Sequence, residues 1–519
     1  MTLAEGIQVT RPNPRATRHW RTDFIAALSL AFLFYVRLWA GLSYTVVRLS
    51  YFMKTLPSGA HYFAAAIDTL AVAGLFLLGF RLVRRFEAYR LGLAAFAVVA
   101  CVIASEAVHF IRRIPLGSSA APDRHAWLWV GAAAGVLGLL VFLRGARGTL
   151  RIIYGVLLLL SPVGALLMTQ AAWGAFSLRG GTLTDKTMAA PVRARESGSA
   201  SLIWIVFDEW DYRLTFEKHP ADLSLPELAR LRGEAFFATE ARPPAANTLE
   251  SIPSLLTGAA VEKSSPRGPS ALDVKFEGGR QPVDFSSCPN VFSRARAMGI
   301  DSAVVGWYLP YCRMLSRDIS ACSWLPMGQG YVVYQGGIAD LVQQEGLGPL
   351  TFEDLTATRG RYYAAGLHAS LMKEALRFVR TSRAPLLFLH LFGAHGPYFF
   401  IRTSPGVYNG GAKPSLYYDA LSLVDTSIGQ VRKELEAAGR WDDTTLILSS
   451  DHPMRGLVDG KKDPRIPFIV KLAGCSKPVT WDRQFNSVAT SDLVLSILQG
   501  DVRTHEEIGA WLAGHGNHP

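Results

Sequence analysis

Four separated segments of the chain carry side chains that can hold a metal ion or act as a nucleophile. Three of them follow directly after an apolar run of strand length, and the fourth is typical of a loop that leads into a short helix. Carboxylates and imidazoles from different strand ends are what a divalent cation needs to complete its coordination shell. The pattern therefore predicts a metal centre at one edge of a sheet. The segments are Asp208-Glu209, Asn247–Gly258, His390–Tyr398 and Ser450–His452.

The elements that must position these side chains alternate between strand and helix patterns. Ser201–Phe207 is a continuous apolar run that ends just before Asp208, as a buried parallel strand does. In open α/β sheets, ligands bind at the carboxyl ends of the strands. We predict a mostly parallel sheet with helices on both faces. Further strand patterns occupy 302–305, 386–390, 445–449 and 466–471, and helix patterns occupy 226–234, 291–298, 371–379, 416–438 and 491–498.

The part of the chain before Phe176 is much more apolar than the rest. Five of its stretches are close to the roughly 20 residues that a helix needs to cross a bilayer. We predict a five-helix transmembrane domain over 1–175, a linker over 176–200 and an exported α/β domain over 201–519. The five stretches lie near 24–45, 61–80, 91–111, 126–143 and 152–174.

Basic residues in the segments that connect these stretches predict the orientation of the membrane domain. The N-terminal lead and the second and fourth loops are richer in arginine than the first and third loops. We therefore expect a cytoplasmic N-terminus and, after five spans, a periplasmic C-terminal domain at a bacterial inner membrane. Because much of the net charge of +11 lies in these loops, we do not expect nucleic-acid binding.

Ionisable residues inside the predicted spans are costly and are candidates for function. They are Arg37, Asp68 and Glu106. Arg37 and Asp68 have a second interpretation, in which they pair across helices or each reach an interface.

Most of the cysteines lie in the predicted exported domain, where disulfides persist. Cys312 and Cys322 are close in sequence and are the preferred pair. Two free buried thiols are the alternative.

Taken together, the four polar segments resemble the alkaline phosphatase superfamily. The resemblance rests on Asp208 after its strand, on Thr248 ahead of Thr257-Gly258, and on the His395–Tyr398 and Ser450–His452 motifs. This superfamily includes sulfatases, nucleotide pyrophosphatases and bacterial phosphoethanolamine and phosphoglycerol transferases. The resemblance covers roughly residues 202–498 and implies an alkaline phosphatase-like fold. The five-span anchor is similar to that of phosphoethanolamine transferases and lipoteichoic acid synthase-like enzymes.

The resemblance implies a role for individual residues. The main metal ligands fall at Asp208, Thr248, Asp451 and His452, and Thr248 is also the nucleophile. Glu209 is implied either as a further ligand or as a residue behind the ligands.

Other residues are candidates for binding the substrate. His395 falls where relatives place a histidine that binds substrate or a second metal, and a loop histidine with a structural role is the alternative. His390 is a second substrate-binding candidate, with a buried structural histidine as the alternative. Relatives carry another histidine after the Asp-His pair, which this chain lacks. Lys461 or Lys462 is the candidate to replace it as the phosphate-binding cation, unless the two lysines belong to a solvated charge run.

Residue 248 separates the subfamilies. Sulfatases need a cysteine or serine there, which is converted to formylglycine, followed by proline and arginine at the second and fourth positions. This chain has Thr248, Glu250 and Ile252 instead, which disfavours sulfate ester hydrolysis. Threonine followed by Ser251 and Pro253 resembles the phosphoethanolamine transferase pattern, in which the side-chain oxygen carries the phospho-group. One departure is that those enzymes have glutamate where this chain has Asp208.

The residues and the resemblance together predict a metal-dependent phospho-group transferase. It would move phosphoethanolamine or phosphoglycerol from a membrane phospholipid to an envelope glycan or lipid through a phosphothreonine. Zinc is the expected metal, with manganese and calcium as alternatives. The first alternative function is a membrane-anchored phosphodiesterase, phosphatase or sulfatase-like hydrolase. The second is a catalytically silent domain that binds a glycan or a partner protein in the envelope.

Overall fold

The chain divides into two compact units. The first comprises 1–50, 56–181 and 329–354, and the second comprises 51–55, 182–328 and 355–519. This division differs from the contiguous domains predicted from the sequence, because Phe52 packs into the core of the second unit. In the first unit, the Tyr35 hydroxyl donates to the Gly346 carbonyl. The computed structural model describes residues 14–43, 52–53, 56–112, 124–177, 186–188, 201–326, 338–347, 357–402, 415–456 and 461–515.

The described part of the first unit is helical. Its helices, labelled in chain order, are α1 (Pro14–Phe34), α2 (Val36–Leu42), α3 (Gly59–Arg85), α4 (Tyr89–Arg112), α5 (Arg124–Leu159), α6 (Ser161–Ser177) and α12 (Ile338–Leu347). Among the described residues, two helical stretches are long and apolar enough to span a membrane, Gly59–Arg85 and Val141–Phe176. The α1–α2 pair, bent by 74°, could be a third. The expected count of five spans therefore stays a prediction.

Two features shape the packing of this unit. Gly145 has a φ of 64°, and the helical geometry of α5 breaks there. Arg37 and Asp68 are both buried within the unit, and a functional role for either one stays a prediction. The side chain of Glu106 lies outside the described residues.

The second unit is built on a mixed sheet of nine strands in the order β1-β9-β8-β10-β2-β11-β12-β3-β13. Its centre, from β9 to β11, is parallel throughout, whereas β1, β12 and β3 introduce antiparallel pairings. The predicted mostly parallel sheet is therefore confirmed. The strands are β1 (Lys186–Met188), β2 (Ser201–Phe207), β3 (Phe236–Ala238), β4 (Ala241–Arg242), β5 (Val261–Pro266), β6 (Leu272–Phe276), β7 (Val283–Asp284), β8 (Ser302–Trp307), β9 (Ala321–Leu325), β10 (Leu386–Leu391), β11 (Thr444–Ser450), β12 (Phe468–Lys471), β13 (Val479–Trp481) and β14 (Phe485–Asn486).

Strand β2 shows why a continuous apolar run forms the centre of this sheet. Trp204 and Val206 point into one hydrophobic cluster, while Ile203 and Ile205 point into a second cluster on the opposite face. Each fully buried side chain of this kind contributes about 1.5–3 kcal/mol. The covering helices are α7 (Tyr212–Phe216), α8 (Pro226–Arg232), α9 (Thr248–Thr257), α10 (Val291–Ala297), α11 (Tyr311–Met314), α13 (Ala357–Thr381), α14 (Ser415–Ala437), α15 (Thr490–Gln499) and α16 (His505–His515).

The structure places an edge strand of the sheet inside the segment 176–200, which was predicted to be a linker. Lys186–Met188, inside that segment, forms β1 and pairs antiparallel with β9. The strand has no apolar pattern, because an edge strand gains its stability from backbone hydrogen bonds with its neighbour. Next to this edge, a disulfide joins Cys312 in α11 to Cys322 in β9, which is the pair preferred from the sequence.

Candidate metal centre and nucleophile

The register of three neighbouring strands brings the polar segments together. Phe207, the last residue of β2, pairs with Leu391 of β10 on one side and with Ser450 of β11 on the other. Because the strands are parallel and end at the same level, Asp208 and Asp451 emerge side by side. This edge is where an α/β sheet binds its ligands.

Four buried side chains meet at this edge. Asp208, His390 and Asp451 each offer an atom that lies within 4.8 Å of the other two. The Nε2 atom of His452 lies 3.4 Å from Asp451 Oδ2 and 3.7 Å from Asp208 Oδ1. All four side chains are fully buried.

Thr248 adds a hydroxyl to the cluster. It is the first residue of α9, and Asn247 occupies the N-cap position without a side-chain capping bond. The Thr248 Oγ1 atom lies 3.2 Å from His452 Nε2 and 3.5 Å from Asp208 Oδ2. The ordinary reason for a threonine at a helix start is capping. Because this hydroxyl faces the cluster, it is positioned for chemistry.

Neighbouring groups orient the two buried histidines. The His452 Nδ1 atom lies 2.9 Å from the Pro453 carbonyl oxygen, to which it can only donate. Nδ1 therefore carries a proton, and Nε2 is the nitrogen that faces the carboxylates and the position of a bound metal. The His390 Nδ1 atom shares a hydrogen bond of 2.7 Å with the Tyr311 hydroxyl, which fixes the orientation of the ring.

The chemistry of the cluster fits a divalent cation. Asp208 Oδ1, Asp451 Oδ2 and His390 Nε2 are buried and have no hydrogen-bond partner among the described residues. Burial, with Asp451 close by, raises the pKa of Asp208 well above its usual range. Burial lowers the pKa of His390 to about 4, so its imidazole is neutral and able to bind a metal. Two uncompensated buried carboxylates are costly, and a cation between them would remove that cost.

The structure bears on the roles proposed for His390 and Glu209. His390, predicted from the sequence as a substrate-binding candidate, lies inside the cluster, so we assign it to the candidate ligands. Glu209 lies outside it, because its carboxylate oxygen Oε1 is 2.6 Å from Arg455 Nε. The backbone of Glu209 still supports the cluster, since its N–H donates to Asp451 Oδ1 at 3.2 Å. The sequence pattern placed both residues near the site but did not show which way their side chains point.

The mouth of the site contains a cation that the sequence interpretation missed. The Arg455 guanidinium lies 3.2 Å from His395 Nε2, and the Arg455 side chain is 49% exposed. His395 donates from Nδ1 to the Gly396 carbonyl. Burial lowers the pKa of His395, so its imidazole is neutral near pH 7. Arg455 follows Asp451-His452 in the sequence, in the segment where relatives carry a histidine. Its position was the one feature of the sequence that could have indicated a cation at this site.

The two lysines predicted to bind phosphate lie further along the same loop. Lys461 and Lys462 are exposed, and residues 457–460 before them lie outside the described part of the chain. Their role stays a prediction. Arg455, by contrast, contacts residues of the site directly.

The fold and the site define the class of this protein. An α/β sheet that gathers carboxylates, imidazoles and a helix-start hydroxyl at its carboxyl edge has the donor set that a divalent cation needs. The family model for sulfatases matches residues 201–499, and the chain belongs to that family. The superfamily predicted from the sequence is therefore confirmed. Thr248 still departs from the cysteine or serine of the sulfatase pattern.

Solved structures similar to this chain have low sequence identity to it. A phosphonate monoester hydrolase of Agrobacterium radiobacter is 17% identical, with 58% of this chain and 74% of that chain covered and a TM-score of 0.40. The PsFucS1 sulfatase from Pseudoalteromonas sp. is 16% identical, with 58% and 68% covered and a TM-score of 0.40. A protein in the alkaline phosphatase superfamily from Vibrio parahaemolyticus is 13% identical, with 60% and 68% covered and a TM-score of 0.37. None of the curated protein sequences compared with this chain matches it.

Proposed function

We propose that this protein is a metal-dependent phospho-group transferase. It takes phosphoethanolamine or phosphoglycerol from a membrane phospholipid and passes it to an envelope glycan or lipid. The observation that carries the proposal is the position of Thr248, whose hydroxyl faces Asp208 and His452 instead of capping its helix. A threonine at this point can carry a phospho-group, but it cannot become the formylglycine that sulfate ester hydrolysis needs.

The first half of the reaction transfers the phospho-group to Thr248. The Thr248 oxygen forms a bond to phosphorus while the bond from phosphorus to the diacylglycerol oxygen breaks. A divalent cation held by Asp208, His390, Asp451 and His452 would make the hydroxyl a better nucleophile and stabilise charge on the phosphoryl oxygens. The Thr248 hydroxyl lies 3.2 Å from His452 Nε2 and 3.5 Å from Asp208 Oδ2, and these two atoms are the candidates to accept its proton.

Two further features of the site suit a phosphoryl group. Thr248 opens α9, and the N-terminus of a helix offers partial positive charge and unpaired N–H groups to an anion. Arg455 at the mouth can exchange its Glu209 partner for the substrate, because a guanidinium binds phosphate oxygens in bidentate fashion. The helix terminus and Arg455 together offset the negative charge of the substrate.

The second half of the reaction returns the enzyme to its starting state. The hydroxyl of the acceptor attacks phosphorus, and the Thr248 oxygen leaves. His395 is neutral, and its Nε2 faces the mouth of the site beside Arg455. This nitrogen can accept the proton of the acceptor hydroxyl once the phosphate takes its place as the partner of Arg455.

A lipid donor resides in the membrane, so an enzyme that uses it must stay close to the membrane surface. The apolar helices of the first unit would hold it there. We propose that the unit anchors the enzyme in a bacterial inner membrane, with the N-terminus in the cytoplasm and the catalytic unit in the periplasm. The competing function is a membrane-anchored hydrolase of the sulfatase family that uses water as its acceptor.

The experiment compares wild-type protein with Thr248→Ala, and uses Thr257→Ala in the same helix as the matched control. Each protein is incubated with phosphatidylethanolamine or phosphatidylglycerol labelled in the headgroup. We expect label on the wild type and the control but none on Thr248→Ala. Diacylglycerol release should accelerate when an envelope glycolipid extract is added. Release that is indifferent to any acceptor would identify a hydrolase, and full activity of Thr248→Ala would reject the mechanism.

A further inference from the structure

The first unit contains a long cavity of about 400 Å³ between α1, α3, α4 and the second half of α5. Most of its wall is aliphatic or aromatic, as at Phe80, Val99 and Leu157. Along α3 the lining runs from Leu75 to Arg84, a distance of about 14 Å at the rise of an α-helix. The cavity is therefore apolar over most of its length and basic at one end.

A fixed ion pair forms part of the basic end. Two nitrogens of Arg84 lie 2.8 and 2.9 Å from the two carboxylate oxygens of Asp23. The Tyr154 hydroxyl donates to the same carboxylate at 2.7 Å. Because Asp23 neutralises Arg84, the ion pair forms part of the cavity wall but adds little net charge to it.

Two other arginines supply the charge. Arg147 and Arg151 line the cavity and are exposed. The guanidinium carbon of Arg147 lies 5.1 Å from the centre of the Tyr89 ring. Tyr89 and Arg147 also line a second cavity of about 540 Å³, to which Arg90 and Glu87 contribute. With Glu87 the only carboxylate among the described lining residues of either cavity, the combined site is net positive.

We propose that this site binds an anionic glycerophospholipid, with an acyl chain in the apolar cavity and the phosphate against Arg147 and Arg151. A purely apolar ligand would leave two guanidinium groups without a counter-charge. A soluble anion would leave the apolar length of the cavity unfilled. An anionic lipid matches both parts, because guanidinium groups bind phosphate strongly and basic residues near a membrane surface attract anionic headgroups. The site does not depend on the proposed reaction at Thr248.

The test measures lipid retention by native mass spectrometry of the detergent-purified full chain. The protein is mixed with phosphatidylglycerol or with phosphatidylcholine of the same acyl chains. We expect the wild type to retain phosphatidylglycerol about tenfold more strongly, because phosphatidylcholine carries the same phosphate together with a cationic ammonium group that the arginines repel. Arg147→Gln/Arg151→Gln should lose this preference. Arg144→Gln, an exposed arginine outside the cavity lining, should keep it.

A second pair of variants tests the apolar part of the cavity. A Cβ at Gly79, which lines the cavity, would meet nothing within 4 Å, so the side chain of Gly79→Leu begins in open space and occupies part of the cavity. Gly74 on the same helix is equally open but is not part of the lining, and Gly74→Leu is the matched control. We expect the lipid adduct to disappear in Gly79→Leu and to persist in Gly74→Leu, with unchanged melting temperatures.

Three results would overturn the proposal. The first is equal retention of the two lipids by the wild type. The second is an unchanged adduct in both the arginine double variant and Gly79→Leu. The third is a protein dimer that carries no lipid and dissociates in Gly79→Leu, which would assign the cavity to a second copy of the chain.

Discussion

The Arg455 guanidinium links two residues that the sequence places far from it. Its Nε lies 2.6 Å from Glu209 Oε1, and its Nη2 lies 3.2 Å from His395 Nε2. Glu209 thereby holds the cation at the mouth of the site, beside the buried carboxylates but not among them. A phosphate group that enters the site can exchange with Glu209 for this cation, which would couple substrate binding to the release of an ion pair.

Arg455→Ala should weaken substrate binding more than it affects the fold. Loss of one or two charge-assisted hydrogen bonds corresponds to about 1.5–3 kcal/mol, or roughly a 10- to 150-fold fall in kcat/KM. Arg402→Ala is the control, because Arg402 also pairs with carboxylates, Asp222 and Asp419, but does not contact this cluster. Steady-state kinetics with a chromogenic phosphodiester measure the effect. Equal kcat/KM for Arg455→Ala and wild type would contradict the assignment.

The metal content of single variants should distinguish residues that bind the metal from residues that only lie near it. Asp451→Asn and His452→Ala should lose most of the tightly held divalent metal, and His390→Ala should lose it in part, because each removes an atom from the buried cluster. Glu209→Gln should keep the metal, since its carboxylate is held by Arg455. Elemental analysis of the purified proteins gives the answer. Full metal content in both Asp451→Asn and His452→Ala would refute the site.

Removal of the metal should lower the stability of the second unit. The cation is expected to bind only the folded cluster, so its loss removes about 2.7 kcal/mol at a metal concentration one hundred times the dissociation constant. Two buried carboxylates would also lose their counter-charge. We expect a chelator to lower the melting temperature of wild type and to leave that of Asp451→Asn nearly unchanged. Restoring the metal should reverse the shift, and a chelator without effect on wild type would count against a bound metal.

Tyr417 should position the turn that carries Glu209. Its buried hydroxyl donates to the Glu209 carbonyl at 2.8 Å and accepts from the Asp211 N–H at 2.9 Å. Glu209 has a φ of 57°, a conformation that costs energy for any residue with a side chain. Tyr417→Phe should cost about 1–3 kcal/mol, because two backbone groups lose their partner. We expect a lower denaturation midpoint together with a reduced kcat, while loss of stability alone would show a merely structural role.

Loss of the disulfide should destabilise the sheet edge. Cys312 and Cys322 are separated by 10 residues, and a loop of this size corresponds to about 2–3 kcal/mol of chain entropy in the unfolded state. The double variant Cys312→Ala/Cys322→Ala should unfold at correspondingly lower denaturant. Cys288→Ala, at a free cysteine, should not change the midpoint. Free thiols at both 312 and 322 in non-reducing peptide mapping of wild type would disprove the bond.

The sequence alone determined the central strands of the sheet and the ends at which the chemistry lies. A continuous apolar run such as Ser201–Phe207 must be buried on both faces, so it predicts a central parallel strand and places Asp208 at its carboxyl end. The same reasoning holds for Thr444–Ser450 and Asp451. These inferences succeed because backbone hydrogen bonding and apolar burial act over a few neighbouring residues.

Tertiary structure alone decided which of those polar side chains face one another. His390 lies inside a strand, and only the pairing of β10 with β2 directs it towards Asp208. Glu209 follows Asp208 directly, yet its side chain leaves the cluster because the chain turns there with a positive φ and Arg455 holds the carboxylate. For Arg455 the sequence offered only its place in the loop after Asp451-His452, and nothing local indicated that it meets Glu209 and His395. The Glu209–Arg455 contact joins residues 246 positions apart. The energies of such long-range contacts depend on burial and on the direction of each side chain, which no local pattern encodes.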